Sequence, residues 1–509
     1  MTRMQSTTVR LHPADNVVVA ITDLAPGSRL ADEKAPCRDT VPAGHKVATE
    51  AVPRGGIIRK YGQIIGRASH DIAPGEHVHS HNMTFSDHDR QYAIGTESAP
   101  TRFIPEREQA VFQGIVRKNG RVATRNYIGV IASANCSSSV ARFIADAFDR
   151  EALAPYPNVD GVVSVVHGSG CGFAGHGEGF DLFRRTLAGW ARHPNFAGIV
   201  LVGLGCEINQ VDQFMAEMAF GPGPMFHAVN IQEAGGTRKT VQSGIAAIRA
   251  MLPEASAVTR SAVPASHLIV GLECGGSDAL SGITANPALG AASDLVVRHG
   301  GTVILGETTE IYGAEQLLLQ RAASGEVGQK LIDRIRWWED YTRRNGVELD
   351  NNPSPGNKAG GLTTILEKSL GAVAKSGSTD LVEVYRFADP VTARGLVFMD
   401  TPGYDVVSVT GMIAGGANMI CFTTGRGSVF GSKPVPTIKL ATNTAMYRSM
   451  EEDMDINCGT IVEGEAGVDQ IGQVIFQHIL DTASGKLSKS ERLGFGHDEF
   501  VPWQMGAIL

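Results

Sequence analysis

Three histidines alternate in Glu76-His77-Val78-His79-Ser80-His81-Asn82. On an extended strand, alternate residues face one side, so His77, His79 and His81 share a face. A face of imidazoles suits a divalent first-row metal. A solvated polar edge gives the same pattern. His45 follows the turn Pro42-Ala43-Gly44 and precedes Lys46. With the histidine face it forms a candidate metal or acid–base group; alone it reads as structural.

Seven cysteines are dispersed along the chain at 37, 136, 171, 206, 274, 421 and 458. Cys136, Cys171, Cys206 and Cys274 each follow an apolar, strand-like run. Ligands of open α/β sheets bind at the carboxyl ends of strands, where these turns fall. A helix starting after Cys136 would lower its thiol pKa. Thiolates from separate strands can hold iron or an iron–sulfur cluster. Small buried residues beside glycine read the same way. His167 shares the Gly-rich turn His167-Gly168-Ser169-Gly170-Cys171. Glu207, Glu273, Glu307 and Asp278 add carboxylates at strand ends, as hard-metal ligands, acid–base groups or first-turn helix residues. Residues 425–433 are Gly-rich and carry Arg426 and Lys433. They do not form a Walker A loop, but exposed N–H groups and two cations suit a carboxylate. Residues 352–361, with Asn357 and Lys358, read as a second ordered loop or as a rigid Pro/Gly connector.

These turns need elements to position them. Residues 1–85 show short apolar runs punctuated by Pro-Gly and Gly signals, which predicts a small all-β module. Residues 86–110 are polar, with Pro100 and Pro105, and read as a linker. From 111 to 258, strands near 127–133, 159–166 and 197–204 alternate with helical stretches. From 259 to 509, strands near 267–272, 302–305, 395–399 and 419–422 do the same. Alternation of this kind implies two α/β units with largely parallel sheets.

Hydrophobic residues make up 43% and charged residues 19% of the 509, which excludes a disordered chain. A net charge of -8 without a basic tract argues against nucleic-acid binding. No run approaches the length of a membrane span, and residues 1–9 lack the apolar segment of a signal peptide. Dispersed cysteines in an odd number then point to a reducing compartment, the cytoplasm.

Taken together, the motifs resemble the altronate and galactarate dehydratase family over nearly the whole chain. They are Gly44-His45-Lys46-Val47-Ala48, the histidine stretch, Gly120–Asn126, Asn135-Cys136, His167 with Cys171, and Gly203-Leu204-Gly205-Cys206-Glu207. Gly271–Asp278, the 352–361 loop, Thr424–Gly427 and Lys439-Leu440-Ala441-Thr442 follow in order. The resemblance implies that the first module is a β-clip (SAF-like) domain and that the last is the dehydratase domain. It implies a hydro-lyase using Fe2+ or Mn2+ to convert a sugar acid to a 2-keto-3-deoxy acid. The histidine stretch is more similar to altronate enzymes, whereas His-Gly-Ser-Gly-Cys at 167–171 departs from their His-Thr-Tyr-Gly-Cys form.

The expected catalytic residues are therefore His45, Lys46, His167 and Glu207. The expected metal ligands are His77, His79, His81, Cys136, Cys171, Cys206 and Cys274. Asn357, Lys358, Arg426 and Lys433 are the expected substrate contacts. The expected partner is a small sugar acid, with a homodimer as the expected assembly. The competing readings are an aldarate dehydratase, a sulfo-lyase releasing sulfite from a sulfonated hydroxy acid, and a non-catalytic sugar-acid binding protein.

Overall fold

A computed structural model describes residues 6–31, 33–86, 92–170, 172–217 and 223–505. The first module consists of two antiparallel sheets. One orders Thr8–Val9, Val17–Ala20, Lys46–Ala48 and His77–Val78; the other orders Ile57–Lys60, Gln63–Ala68 and Met83–Thr84. The hairpin between Lys60 and Gln63 turns on Tyr61 and Gly62, both at positive φ. This is the small all-β module that the turn signals predict, in the place where the resemblance expects a β-clip.

The middle unit is a four-stranded parallel sheet in the order Gly161–Val165, Tyr127–Ala132, Phe196–Gly203, Phe226–Asn230. The last unit is a seven-stranded parallel sheet. Its order is Leu381–Tyr385, Gly395–Met399, Thr302–Leu305, Ile269–Cys274, Met419–Thr424, Thr437–Ala441, Ile456–Asn457. The central strands are buried along their whole length, so they read as continuous apolar runs rather than alternating ones. Helices begin and end where local chemistry dictates. Helix Gly325–Asn345 starts at Ser324, whose side chain accepts from Val327 N, and stops at Gly346 in the left-handed conformation. Its buried stripe, Val327, Leu331, Ile335 and Trp338, follows helical spacing.

Two apolar cores tie the units together. One joins Val17, Ile58, Ile65 and Val78 of the β-clip to Leu272, Leu305 and Ile365 of the last unit. The other joins Ile131, Phe183 and Leu201 of the middle unit to Trp338, Met412 and Phe422. Of the expected linker 86–110, residues 92–110 lie bonded along the last unit. Gly95 N donates to Leu319 O, Ser98 Oγ to Asp380, Ile104 N to Arg298 O, and Tyr92 Oη to Glu315. The 3-10 turn Glu106–Glu108 is the segment's one element among the described residues, and backbone groups elsewhere in it bond to the last unit. Beyond it, Val111–Val116 pairs antiparallel with Ser261–Pro264, across the boundary between the two α/β units. No described helix is long and apolar enough to cross a membrane.

Candidate active site between the β-clip and the C-terminal sheet

The strand Ile269–Cys274 lies at the centre of the seven-stranded sheet, and its last two residues, Glu273 and Cys274, are buried. The neighbouring strand Thr302–Leu305 delivers Glu307 and then Glu310. Asp405 opens the helix that follows strand Gly395–Met399. Single oxygen or sulfur atoms of Cys274, Glu307 and Glu310 lie within 4.8 Å of one another, as do those of Glu273, Glu307 and Asp405. Gly275 permits this crowding, because a Cβ there would stand 2.0 Å from Asp405 Oδ2. Glu307 holds φ 62°, the left-handed region that a non-glycine residue occupies at a cost. Thr401 Oγ1 accepts from its backbone N at 2.7 Å and pins that conformation.

Two buried lysines face one side of the cluster. Lys375 Nζ lies 2.8 Å from Cys274 Sγ and 2.9 Å from Glu307 Oε2. Lys368 Nζ donates to Glu310 Oε1 at 2.5 Å and to Asn352 Oδ1 at 3.0 Å. No nitrogen or hydroxyl donor among the described residues reaches either oxygen of Glu273 or Oε1 of Glu307. Buried carboxyls in that situation share protons or accept a cation. Accordingly, burial and then the Glu307 charge push Glu273 well above the carboxylate range, and the same causes with Glu310 raise Asp405 to about 7. Burial would raise Glu307 too, but Lys375, Glu273 and Lys368 together outweigh it and hold Glu307 low. Burial and the Glu307 charge keep Cys274 a thiol. The carboxylates are therefore the better ligands for a hard divalent ion, and the residues present fit one.

A cavity of about 300 Å³ opens on this cluster. Cys274, Glu310, Asn352, Asn357, Lys368 and Asp405 stand in its wall. Asn357 also completes a capping box with Ser354 at helix Pro355–Ala359 and donates to Ser277 O at 2.8 Å. Asp278 is not a ligand. Its carboxylate is consumed by Ser281, Thr442 and Asn443, which fix the turn.

The histidines gather on the other side of residues 354–361. The ring centroids of His45, His77 and His79 stand 4.8–5.6 Å apart, and that of His81 is 5.2 Å from His77. The continuous strand expected for residues 77–81 is absent. It stops after Val78, because Asn82 N and Met83 N both bond to His79 O and close a turn. His45 enters from the neighbouring strand's approach. His45 Nε2 donates to Ala359 O at 3.3 Å, and His79 Nε2 to Lys358 O at 2.9 Å. Burial lowers His45 and, joined by neighbouring imidazoles or Lys46, takes His77 to about 3 and His79 to about 4. These rings are neutral at neutral pH.

Lys46 is fully buried and does not face the cavity. Its Nζ donates to Gly361 O at 2.7 Å and to Glu367 Oε2 at 2.9 Å, while Lys60 Nζ donates to Glu367 Oε1 at 2.9 Å. Burial takes Lys46 down to about 8, since it shares one carboxylate with Lys60. Burial would raise Glu367, but the two lysines hold it at about 2. This triad docks the β-clip on the last unit.

The remaining expected residues lie elsewhere. Cys136 and Cys206 are exposed at the carboxyl edge of the middle sheet, in a different sheet from Cys274. The shared strand-end position therefore does not bring these cysteines to one centre. Cys171 lies outside the described residues. His167 is buried against Phe183 and Phe500, donates Nε2 to Ala132 O at 3.1 Å, and is lowered by burial to about 4. Glu207 caps its own loop. Burial would raise it, but Ser133 and the N–H groups of Leu204 and Gly205 hold it low. Arg426 is exposed, with its backbone N bonded to Gly276 O at the cavity wall. Lys433 is drawn away to Gly494 O and His497. The side chain of Lys358 is half-buried; its carbonyl is what meets His79. Lys368, Lys375 and Asp405 were not singled out from the sequence. The signal was present in Ile365-Leu366-Glu367-Lys368-Ser369-Leu370-Gly371-Ala372-Val373-Ala374-Lys375, where lysines seven apart in an apolar helical run need buried partners.

A β-clip docked on an α/β unit thus stands beside a carboxylate-bearing cavity of small-molecule size. Three family descriptions match in order: "Altronate/galactarate dehydratase SAF domain" over residues 6–86, "D-galactarate dehydratase/Altronate hydrolase, second domain" over 114–256, and "D-galactarate/Altronate dehydratase, C-terminal" over 265–508. The chain is 33% identical to an altronate dehydratase of Bacillus subtilis (strain 168), covering 98% of this chain and 99% of the relative. It is 37% identical to a galactarate dehydratase (L-threo-forming) of Escherichia coli (strain K12), covering 94% and 93%. It is 35% identical to an altronate dehydratase of the same organism, covering 96% and 97%. The chain belongs to the altronate and galactarate dehydratase family, whose members are hydro-lyases acting on sugar acids.

Proposed function

We propose that this chain dehydrates D-altronate to a 2-keto-3-deoxy acid with a divalent cation, Fe2+ or Mn2+, held by Glu273, Glu307 and Asp405. The observation that carries the reading is the set of donorless carboxylate oxygens on Glu273 and Glu307, beside a cavity sized for a six-carbon acid. When bound, the cation polarises the substrate carboxylate and 2-hydroxyl and so acidifies the C2 proton. The chain supplies the rest. Lys368 and Asn352, in the cavity wall, orient the substrate's oxygens. Glu310, raised by burial and by Glu307, exchanges protons with Lys368 across their 2.5 Å contact. That pair takes the C2 proton and returns one to the departing C3 hydroxyl. The enol so formed tautomerises to the keto acid. The altronate choice rests on the histidine-bearing stretch 76–82 and leaves galactarate as the alternative.

The test is anaerobic incubation with ferrous iron and either altronate or galactarate, measuring 2-keto-3-deoxy acid. Altronate is expected to turn over faster, and Glu273→Gln and Lys368→Met each to lower kcat at least about 100-fold with the fold intact. Absence of product from both acids would overturn the reading, and a preference for galactarate would overturn its substrate.

A further inference from the structure

The imidazoles of the β-clip stand outside the cavity wall, yet two of them bond to the segment that builds part of it. A backbone carbonyl only accepts, so His45 and His79 each carry their proton on Nε2 and give it to Ala359 O and Lys358 O. The other ring nitrogens are engaged as well. Ser80 Oγ donates to His79 Nδ1 at 3.0 Å, and His77 Nε2 donates to His45 Nδ1 at 3.0 Å. His45 and His79 are thus held as neutral donors of fixed direction, and the last carbonyls of helix Pro355–Ala359 find partners outside it.

The contact is stiff. The turn that carries His45 presses backbone against backbone: a Cβ on Gly361 would stand 2.5 Å from Gly44 O, and one on Gly44 would stand 3.2 Å from Gly360 O. Lys46, the next residue, holds Gly361 O and also Glu367, the residue before Lys368. The stiffness carries through to the cavity. The capping box of Ser354 and Asn357, with the bond from Asn357 Nδ2 to Ser277 O, fixes residues 354–359 as one turn. Two residues before it, Asn352 donates Nδ2 to Glu310 Oε1 at 2.7 Å and accepts from Lys368 Nζ at 3.0 Å. Asn352 therefore bridges both members of the proton-transfer pair.

We propose that His45 and His79 are positioning residues for the dehydration, a role that rests on the Lys368–Glu310 pair moving the protons. By holding the carbonyls of Ala359 and Lys358 they fix the 352–361 segment, and so keep Asn352 between Glu310 and Lys368. A shift of about 1 Å in the segment would break one of the two Asn352 bonds, and misplacement on that scale costs up to about 100-fold in rate. The β-clip thereby takes part in the chemistry without a described residue in the cavity wall.

The experiment compares His79→Leu, which removes the donor, with His79→Gln, whose amide restores an N–H at the same reach. Full-length chains are assayed anaerobically with ferrous iron on altronate and galactarate, and kcat and KM are read separately. His79→Leu is expected to lower kcat about tenfold or more with KM within about threefold, and His79→Gln to recover most of the loss. On a Lys368→Met background, His79→Leu is expected to cost no more than about twofold further, because the positioned pair is already gone. Amide exchange at residues 354–361 is expected to quicken in His79→Leu and to return in His79→Gln. Should His79→Leu not fold, His45→Leu against His45→Gln makes the same comparison at Ala359 O. Wild-type kcat in His79→Leu, a loss that glutamine does not recover, or a loss that multiplies in full on Lys368→Met would overturn the positioning role. Wild-type kcat in Lys368→Met alone would sink the pair, and this role with it. Absence of product from both acids would sink the dehydratase reading as a whole; amide exchange then decides, and a wild-type rate in His79→Leu overturns the brace.

Discussion

At the scale of single residues, burial decides charge state. His193 is 2% exposed; its Nε2 donates to Ala417 O and its Nδ1 accepts from Asn195 N. The neutral ring uses both nitrogens, and a second proton on Nδ1 would face the Asn195 N–H donor. Burial first, then Arg121 and Arg117, lower its pKa to about 3. The unfolded chain takes up this proton near pH 6.5, so the unfolded state binds more protons between about 3 and 6.5. Stability from this group is complete above 6.5 and is lost as pH falls toward 3. His193→Gln keeps a donor for Ala417 O without titrating. Its unfolding free energy, measured by urea titration from pH 7 to 4, is expected to fall less steeply than the wild type's by up to about 1.4 kcal/mol per pH unit. An unchanged slope would refute this account. The residue scale is also where the sequence was most legible for chemistry. Alternation exposed the histidine cluster, and strand-end position exposed Cys274, Glu273 and Glu307. It did not reveal that Cys274 stays protonated, because that depends on its complete burial and then on Glu307 after the neighbouring strand.

At the scale of elements, glycine sets how closely helices approach. Helix Glu178–Ala191 of the middle unit crosses helix Asp405–Gly415 of the last, and a Cβ on Gly189 would stand 2.3 Å from Ala414 O. Backbone cannot yield as a side-chain tip can. Gly189→Val is expected to cost about 3 kcal/mol in urea unfolding, by wedging the helices apart over Trp190 and Met412. A cost below about 0.5 kcal/mol would mean that the helices slide freely. Element existence followed from apolar runs between Gly and Pro signals, because parallel central strands are buried on both faces. The strand expected across the histidines was too long, because a turn closed by Asn82 competes with extension and periodicity does not register a turn's hydrogen bonds.

At the scale of the whole molecule, one carboxylate holds two domains together. Glu367 takes Lys46 and Lys60 of the β-clip into a site with almost no solvent access. Glu367→Gln leaves two buried ammoniums without an anion and is expected to destabilise the chain by about 3–5 kcal/mol. The same variant is expected to loosen the β-clip, read as faster proteolysis between residues 60 and 95. An unaltered urea midpoint would show that the apolar core alone docks the domain. The sequence by itself determined the order of the three units, their strand-rich or α/β character and the turns that carry reactive side chains. These follow from periodicity and from residues a few positions apart. Only the tertiary structure decided which turns meet. Lys368 and Lys375 reach Glu310 and Cys274 from about sixty to a hundred residues away, Cys136 and Cys206 end on a different sheet from Cys274, and the histidines stand behind helix Pro355–Ala359. Such pairings depend on strand order and domain docking, which local spacing does not encode.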